Sequence, residues 1–309
     1  SSDKLSASSG LLSKFSNSVI SMLSEYSVQQ EEVVGIDITP HSIKLAQLSK
    51  KDDKWTVEKL AYRHLDRIED IKASAAKISE EIEIAFKSGK FSTNNAAVSL
   101  PVSSSIVKVI TMPLMTDVEM QKAIEYDSLW ENLTQLPDAL EEYSIFHQVI
   151  RKDSAQNLMD VLFVASKLSD VNKYIEIVKN AQMSPIVMDV RCFALRNAFE
   201  TKNMKNMTKA PLAILEIGAH ENFLLILKDE IPFVSDIFVG SKDKITIGLE
   251  NNDVKSLSPI IDRFAMQIKQ NLDSYVSRFK SEPIENLFLV SNSPNINNIS
   301  ESFSKKFKN

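Results

Sequence analysis

One cysteine, six glycines and two tryptophans in 309 residues set the first limits. The lone Cys192 excludes an intramolecular disulfide, fits a reducing compartment and reads as core packing. So few glycines argue against loops that wrap phosphate with bare backbone. Neither GxxxxGK[ST] nor GxGxxG occurs, so a P-loop or Rossmann turn has no support. No apolar run reaches about 18 residues, so no membrane-spanning helix is expected. The net charge of −5 gives no basic field, and no nucleic-acid partner is expected. His41 and His220 have no Cys or acidic cluster at metal spacing around them and read as turn residues. What is present is ordinary for a globular chain, with 43% hydrophobic and 25% charged residues. A chain of this length predicts about two lobes.

Residues 1–31 are Ser-rich and read as a flexible N-terminal extension. Within it Leu11, Leu12, Phe15, Val19, Met22 and Leu23 can line one face of a short helix, a weak membrane-surface or partner element. Three strands are expected over 32–62, with Trp55, Val57, Leu60 and Tyr62 alternating with polar neighbours. Ile71, Ala75, Ile78, Ile82 and Ala85 step by three and four, as on an amphipathic helix. A buried strand then stops at Pro101. Residues 102–184 read as strand, helix, two strands and helix. Thr116 and Glu119 form a capping box that starts a helix through Trp130. Residues 202–209 are a polar linker. Three more strands fill 213–239. Ser258 and Pro259 start a long helix whose apolar residues run from Leu257 to Phe279. A strand at 287–290 and a basic helix end the chain.

A hairpin pattern occurs twice. Ile36-Asp37-Ile38-Thr39-Pro40-His41 matches Leu215-Glu216-Ile217-Gly218-Ala219-His220, and Asp37 to Glu216 and His41 to His220 are the same step of 179 residues. Two strands flanking a tight turn, with an acid at the same place in each, suggest a duplicated unit. Such a turn presents a carboxylate and backbone N–H groups to one ligand. Two of them can grip a phosphate chain and its Mg²⁺.

These residues carry a family resemblance. Val33 to Ile38, Ser42 to Leu48, Ala97 to Pro101, Lys108 to Pro113, Val161 to Lys167, Val187 to Leu195 and Ala213 to Ala219 stand in the order of one family. It is the type IV pilus assembly protein PilM family, a relative of FtsA within the actin, Hsp70 and sugar-kinase superfamily. The resemblance covers roughly 32–300 and implies a two-lobed α/β actin-like ATPase fold with a small α+β insertion subdomain. Residues 32–101 and 185–201 would form the first lobe, 102–184 the insertion and 210–309 a C-terminally short second lobe.

The resemblance also implies ATP and Mg²⁺ between the lobes. Asp37 would hold Mg²⁺ through water, with Thr39, Ser42 and Lys44 beside it. Glu216, Gly218 and Ala219 would form the second phosphate turn, and Ser291, Asn292 and Ser293 the adenosine loop. No catalytic residue is assigned. The expected partner is the N-terminal tail of a PilN-like inner-membrane protein. It would lie in a groove between the insertion subdomain and the first lobe, against Ile106, Val107, Val109 and Ile110 and the helix 117–130. Pilus motor ATPases would receive the signal, with the protein peripheral to the inner membrane at its cytoplasmic face.

Departures from the family pattern predict a degenerate site. Pro40 removes a donor N–H from the first turn. The loop Ser291-Asn292-Ser293-Pro294 has no glycine to let backbone approach a base. Glu216 stands where the family more often has Asp. The expected role is a scaffold that binds and switches, with little or no turnover. Alternatives are a nucleotide-free scaffold of a related secretion or division complex, and an active ATPase or kinase of the superfamily.

Overall fold

The computed structural model describes residues 32–307, apart from 52–53, 67, 69, 126–127, 204–210, 229–230 and 250–252. The expectations for the extension 1–31, and for the linker from 204 onward, lie outside the described residues. The chain divides into two compact units. One comprises Ser1–Asp66, Ile71–Val98 and Glu176–Val187, the other Arg67–Asp70, Ser99–Ile175 and Met188–Asn309.

In the first unit β1 (Val34–Thr39), β2 (Ser42–Lys51) and β3 (Lys54–His64) form an antiparallel meander. β4 (Asn95–Leu100) joins parallel to β1, and the strand β8 (Ser184–Val190) closes the order β3-β2-β1-β4-β8. Alternation decides the faces. Ile36, Ile38, Ile43, Leu45 and Ala61 point to the core. Helix α1 (Ala75–Gly89) lies against β2 and β3 and buries Ile78, Ile82 and Ala85, the spacing expected of an amphipathic helix. It ends on Lys90 in the left-handed region. On the other face lie Lys44, Ala46, Leu48 and Lys50 of β2, with Tyr62, Leu60, Val57 and Trp55 of β3 opposite them. A bulge between Gln47 and Leu48 keeps that row in phase.

The second unit repeats this design. β9 (Leu212–Glu216), β10 (Phe223–Lys228), β11 (Ile231–Asp236) and β12 (Asn286–Val290) take the order β11-β10-β9-β12, with β12 parallel to β9. The duplication extends to register. Ile36 pairs with Leu45 and Asp37 with Lys44. At the 179-residue step Leu215 pairs with Leu224 and Glu216 with Phe223.

A three-stranded sheet of β5 (Ser105–Pro113), β6 (Tyr143–Asp153) and β7 (Leu158–Lys167), ordered β5-β7-β6, belongs to the second unit. On one of its faces Trp130 packs on Phe163, with ring centroids 5.0 Å apart. The capping box forms as expected, with Thr116 N–H donating to Glu119 Oε2 at 2.8 Å and Glu119 N–H to Thr116 Oγ1 at 3.3 Å. The helix expected there is described over Asp117–Glu125, α2, and Ser128–Thr134, α3, on either side of the two residues outside the description. On the other face Val107, Leu162 and Val164 meet Leu212, Ile214, Phe223 and Leu225 of the second sheet. The segment 102–184 is thus shared. Ser99–Ile175 groups with the second sheet, while Glu176–Val187, including the end of helix α4 (Leu168–Asn180), groups with the first. There Ser79 Oγ donates to Ile177 C=O at 2.9 Å. Helix α5 (Arg191–Asn203) groups with the second unit.

Beyond β11 lie α6 (Ser241–Gly248) and α7 (Val254–Phe279), with α8 (Ile296–Lys306) near the end. Leu257, Ile261, Phe264 and Ile268 of α7 pack on Ala213, Leu215, Leu224 and Ile226. The start of α7 corrects the sequence reading. Asp253 is the N-cap, accepting from Ser256 N–H at 2.8 Å, and the helix runs through Pro259. Pro259 lies in its second turn, where it has no N–H to give the carbonyl four residues back. At the far end Arg278 donates to Val109 C=O on β5, at 3.1 Å.

Candidate functional site

The first turn is closed by its own side chains. Thr39 Oγ1 accepts from Ser42 N–H at 3.0 Å and donates to Ser42 C=O at 3.1 Å, and the two hydroxyls lie 3.0 Å apart. Asp37 and Lys44 face each other across the strand pair, with Nζ 3.6 Å from the carboxylate. Leu65 N–H donates to His41 C=O at 2.8 Å and ties the turn to the end of β3.

In the second unit the equivalent acid is committed elsewhere. Glu216 is buried, and both carboxylate oxygens accept from Arg191: Nε lies 3.0 Å from each, and Nη2 is 2.7 Å from Oε1. This fork is the strong form of an ion pair. The turn is braced by Asn222, whose Oδ1 accepts from Gly218 N–H at 3.1 Å and whose Nδ2 donates to Gly218 C=O at 3.0 Å. Glu221 accepts from Val102 N–H at 2.9 Å. Burial pushes the Glu221 carboxyl above the usual range, although that N–H and Arg191 pull the other way. Burial also raises Asp189 and Asp236, and it pushes the Cys192 thiol up to about 12, with Asp189 adding to the effect.

Gly218, Ala219, Asn292 and Ser293 do converge. A Cβ at Gly218 would meet Asn292 Oδ1 at 2.6 Å, and one at Gly248 would meet the Ala219 Cβ at 3.2 Å. Ser293 is buried and donates to Ile247 C=O at 2.6 Å, while Asn295 Nδ2 donates to Leu249 C=O at 2.7 Å. Ser291 Oγ accepts from Ser293 N–H at 3.0 Å. Gly218 leaves room for the Asn292 side chain, and Gly248 leaves room for Ala219.

This donor set does not fit a magnesium-bound phosphate chain. Pro40 has no N–H, the N–H groups of Ser42 and Gly218 donate within their own turns, and Glu216 is neutralised by Arg191. Among the described residues no group of three or more His, Cys, Asp or Glu could hold a metal ion.

The four strand residues lie on β5. Ile106 and Ile110 face the Trp130 cluster, and Val107 faces the second sheet. Val109 and Ile110 are buried, so their side chains offer little to a ligand. A strand residue directs its N–H and C=O to one side. The Val109–Arg278 bond therefore marks Val107, Val109 and Thr111 as the residues whose backbone points away from β7. By the same alternation Ile145, His147 and Val149 of β6 point outward on the opposite edge. β11 runs close to β5, whereas the main contact of β6 is β7.

Sequence reasoning missed Arg191, Glu221, Asn222 and Asp236. Arg191 had one signal, the longer Glu216 where the pattern has Asp, which gives the reach for a fork.

A family model described as type IV pilus assembly protein PilM matches residues 35–241. Among solved structures the chain is similar to a PilM–PilN type IV pilus biogenesis complex, with a TM-score of 0.74 and 18% identity over 90% of this chain and 87% of that one. It is also similar to a Bacteroides thetaiotaomicron protein of actin-like ATPase fold and unknown function, with a TM-score of 0.46 and 8% identity over 92% and 91%. Two sheets that share the order of four strands and one hairpin register, with the likeness to the PilM–PilN structure, give the actin-like α/β fold expected from the sequence.

Proposed function

The chain belongs to the type IV pilus assembly protein PilM family, and we propose that it is an actin-like scaffold of a pilus machine that works by binding. The occupant is the extended N-terminal tail of a PilN-like membrane protein, taken up along an outer edge of the β5-β7-β6 sheet. What carries this reading is the family match together with two edge strands whose outward backbone groups are identified above. An added strand gains affinity from main-chain hydrogen bonds and specificity from alternate side chains. Arg278 already fills one acceptor on β5, which favours β6 as the receiving edge. No helix among the described residues is long and apolar enough to cross a membrane. Its place at the cytoplasmic face of the inner membrane would then come through the partner.

Calorimetric titration with a synthetic tail peptide tests this. His147→Pro removes an outward N–H from β6, and Val107→Pro does the same on β5, without deleting a ladder bond to β7. The β6 variant is expected to lose about tenfold or more in affinity, the worth of one or two backbone hydrogen bonds. The β5 variant is expected to lose little. Unchanged tail binding by both variants, with unfolding midpoints near the parent's, would put the interface elsewhere.

ATP and Mg²⁺ take no tight seat on this scaffold. The support is the set of turn donors already used internally and the Glu216–Arg191 fork. Titration of ATP with and without Mg²⁺ should give weak heats in both cases. Tight Mg-ATP binding abolished by Asp37→Ala would overturn the reading.

A further inference from the structure

Strand β3 ends the first sheet, and among the described residues no strand pairs along its outer margin. It is 11 residues long and holds no proline. A margin of that kind presents a row of unpaired backbone N–H and C=O groups. On one face of β3 stand Trp55, Val57, Leu60 and Tyr62, exposed by 52% to 68%. Four large apolar side chains in one row exceed the scattered exposure of an ordinary surface. Their spacing is uneven. Gln47 pairs with Lys59 and Leu48 with Val57, which makes Glu58 the extra residue of the bulge. The bulge is the reason Val57 and Leu60 share a face although they lie three positions apart.

We propose that β3 pairs antiparallel with β3 of a second copy of this chain, about a two-fold axis between Glu58 and Lys59. Directly opposed residues of such a pair share a face. Trp55 then stands opposite Tyr62 of the second copy and Val57 opposite Leu60, and the axis repeats both pairs. No other antiparallel register sets all four against one another, because only this axis maps the four positions onto themselves. The register also depends on the bulge: in a strand of strict alternation, positions related by that axis would fall on opposite faces. Aromatic and β-branched cross-strand pairs are the favourable kind. At the centre Glu58 meets Lys59 twice, opposite charges both times. Lys54 falls opposite Arg63, whose charge Glu81 of its own copy meets at 2.6 Å. The paired margins and their apolar rows bury on the order of 600 Å² per copy, at the lower end of specific interfaces, so a micromolar Kd is expected.

Sedimentation equilibrium of the full chain tests this without any tail peptide, so it stands or falls apart from the reading of β6. The parent is expected to dimerise. Leu60→Lys puts a charge into each apolar row and should weaken the dimer at least about a hundredfold, since a two-fold interface meets the change twice. The unfolding midpoint should hold, because Leu60 is 68% exposed. Copper–phenanthroline oxidation reads the register. Val57→Cys with Leu60→Cys sets thiols directly across the two-fold pair and should link the copies. Within one chain those two thiols sit about 10 Å apart along the strand and cannot join. Trp55→Cys alone leaves its thiols about 23 Å apart and should not link. Cys192 is buried and takes no part. A parent that stays monomeric at about 0.1 mM overturns the proposal, and binding of anionic phospholipid vesicles or of the synthetic tail peptide by that monomer, lost in Leu60→Lys, would assign the face to that occupant. A dimer that Leu60→Lys leaves intact overturns it too, as does one that Trp55→Cys links as fast as the double variant.

Discussion

The β1–β2 and β9–β10 hairpins pair corresponding residues in one register, yet their acids have opposite surroundings. Asp37 stands opposite a partly exposed lysine at 3.6 Å and is itself 25% exposed. Glu216 stands on a covered face and is forked by Arg191. The difference follows from what lies above each sheet. Where the β5-β7-β6 sheet and α5 cover the face, a carboxylate must find a cation and hydrogen bonds or lose its charge. Where the carboxylate stays partly exposed, as at Asp37, a surface lysine and water do the same work. One backbone plan thus yields a buried ion pair in one unit and a partly exposed one in the other.

The sharpest way to break the comparison is Arg191→Met. It strands the buried Glu216 carboxylate and should cost about 3–5 kcal/mol in denaturant unfolding. Combining it with Glu216→Gln should recover much of that loss, and a double-mutant cycle would measure the coupling. Next comes Gly218→Ala, whose Cβ presses only on the amide oxygen of the exposed Asn292 side chain and which should cost about 1 kcal/mol or less. Adding Asn292→Ala should relieve it. Gly35→Ala meets only Ala46 C=O at 3.7 Å and should change stability by less than about 0.5 kcal/mol.

Glu221 sharpens the contrast through pH. Burial raises its folded-state pKa above the unfolded value, so its neutral form favours the fold. That contribution is full below the unfolded pKa and is lost as pH rises through the folded one. Glu221→Gln should therefore stabilise the protein at neutral pH and make no difference in acid, as read by unfolding at the two pH values. The smallest effect belongs to the open hairpin. Lys44→Ala should cost about 0–1 kcal/mol, less in high salt, because the pair is partly exposed.

How legible this was depends on range along the chain. Alternation and spacing are local, so the hairpins, α1 and the apolar stripe of α7 were readable, and the shared 179-residue step foretold a shared register. The Asp253 cap was missed because Ser258-Pro259 is the louder helix-start signal, although the helix had already begun. Arg191 and Glu216 meet across two elements with no spacing rule to connect them. Asn222 braces Gly218 through a side-chain amide that any polar turn would contain. The contact of Asn292 with Gly218 was not legible either, because the two lie on separate segments and no spacing rule connects them.

Arg278 has a consequence for the life of the protein in a crowded cell. A strand margin left unpaired is sticky towards every other unfinished sheet, and β5 ends its own sheet with β11 close by. By reaching from the last turn of α7 to the carbonyl of Val109, Arg278 blunts that margin with a charge that a stray strand would have to evict. The long helix thereby acts as a built-in guard against runaway stacking. Severing it with Arg278→Ala should show first as clumping during expression, before any loss of the folded state.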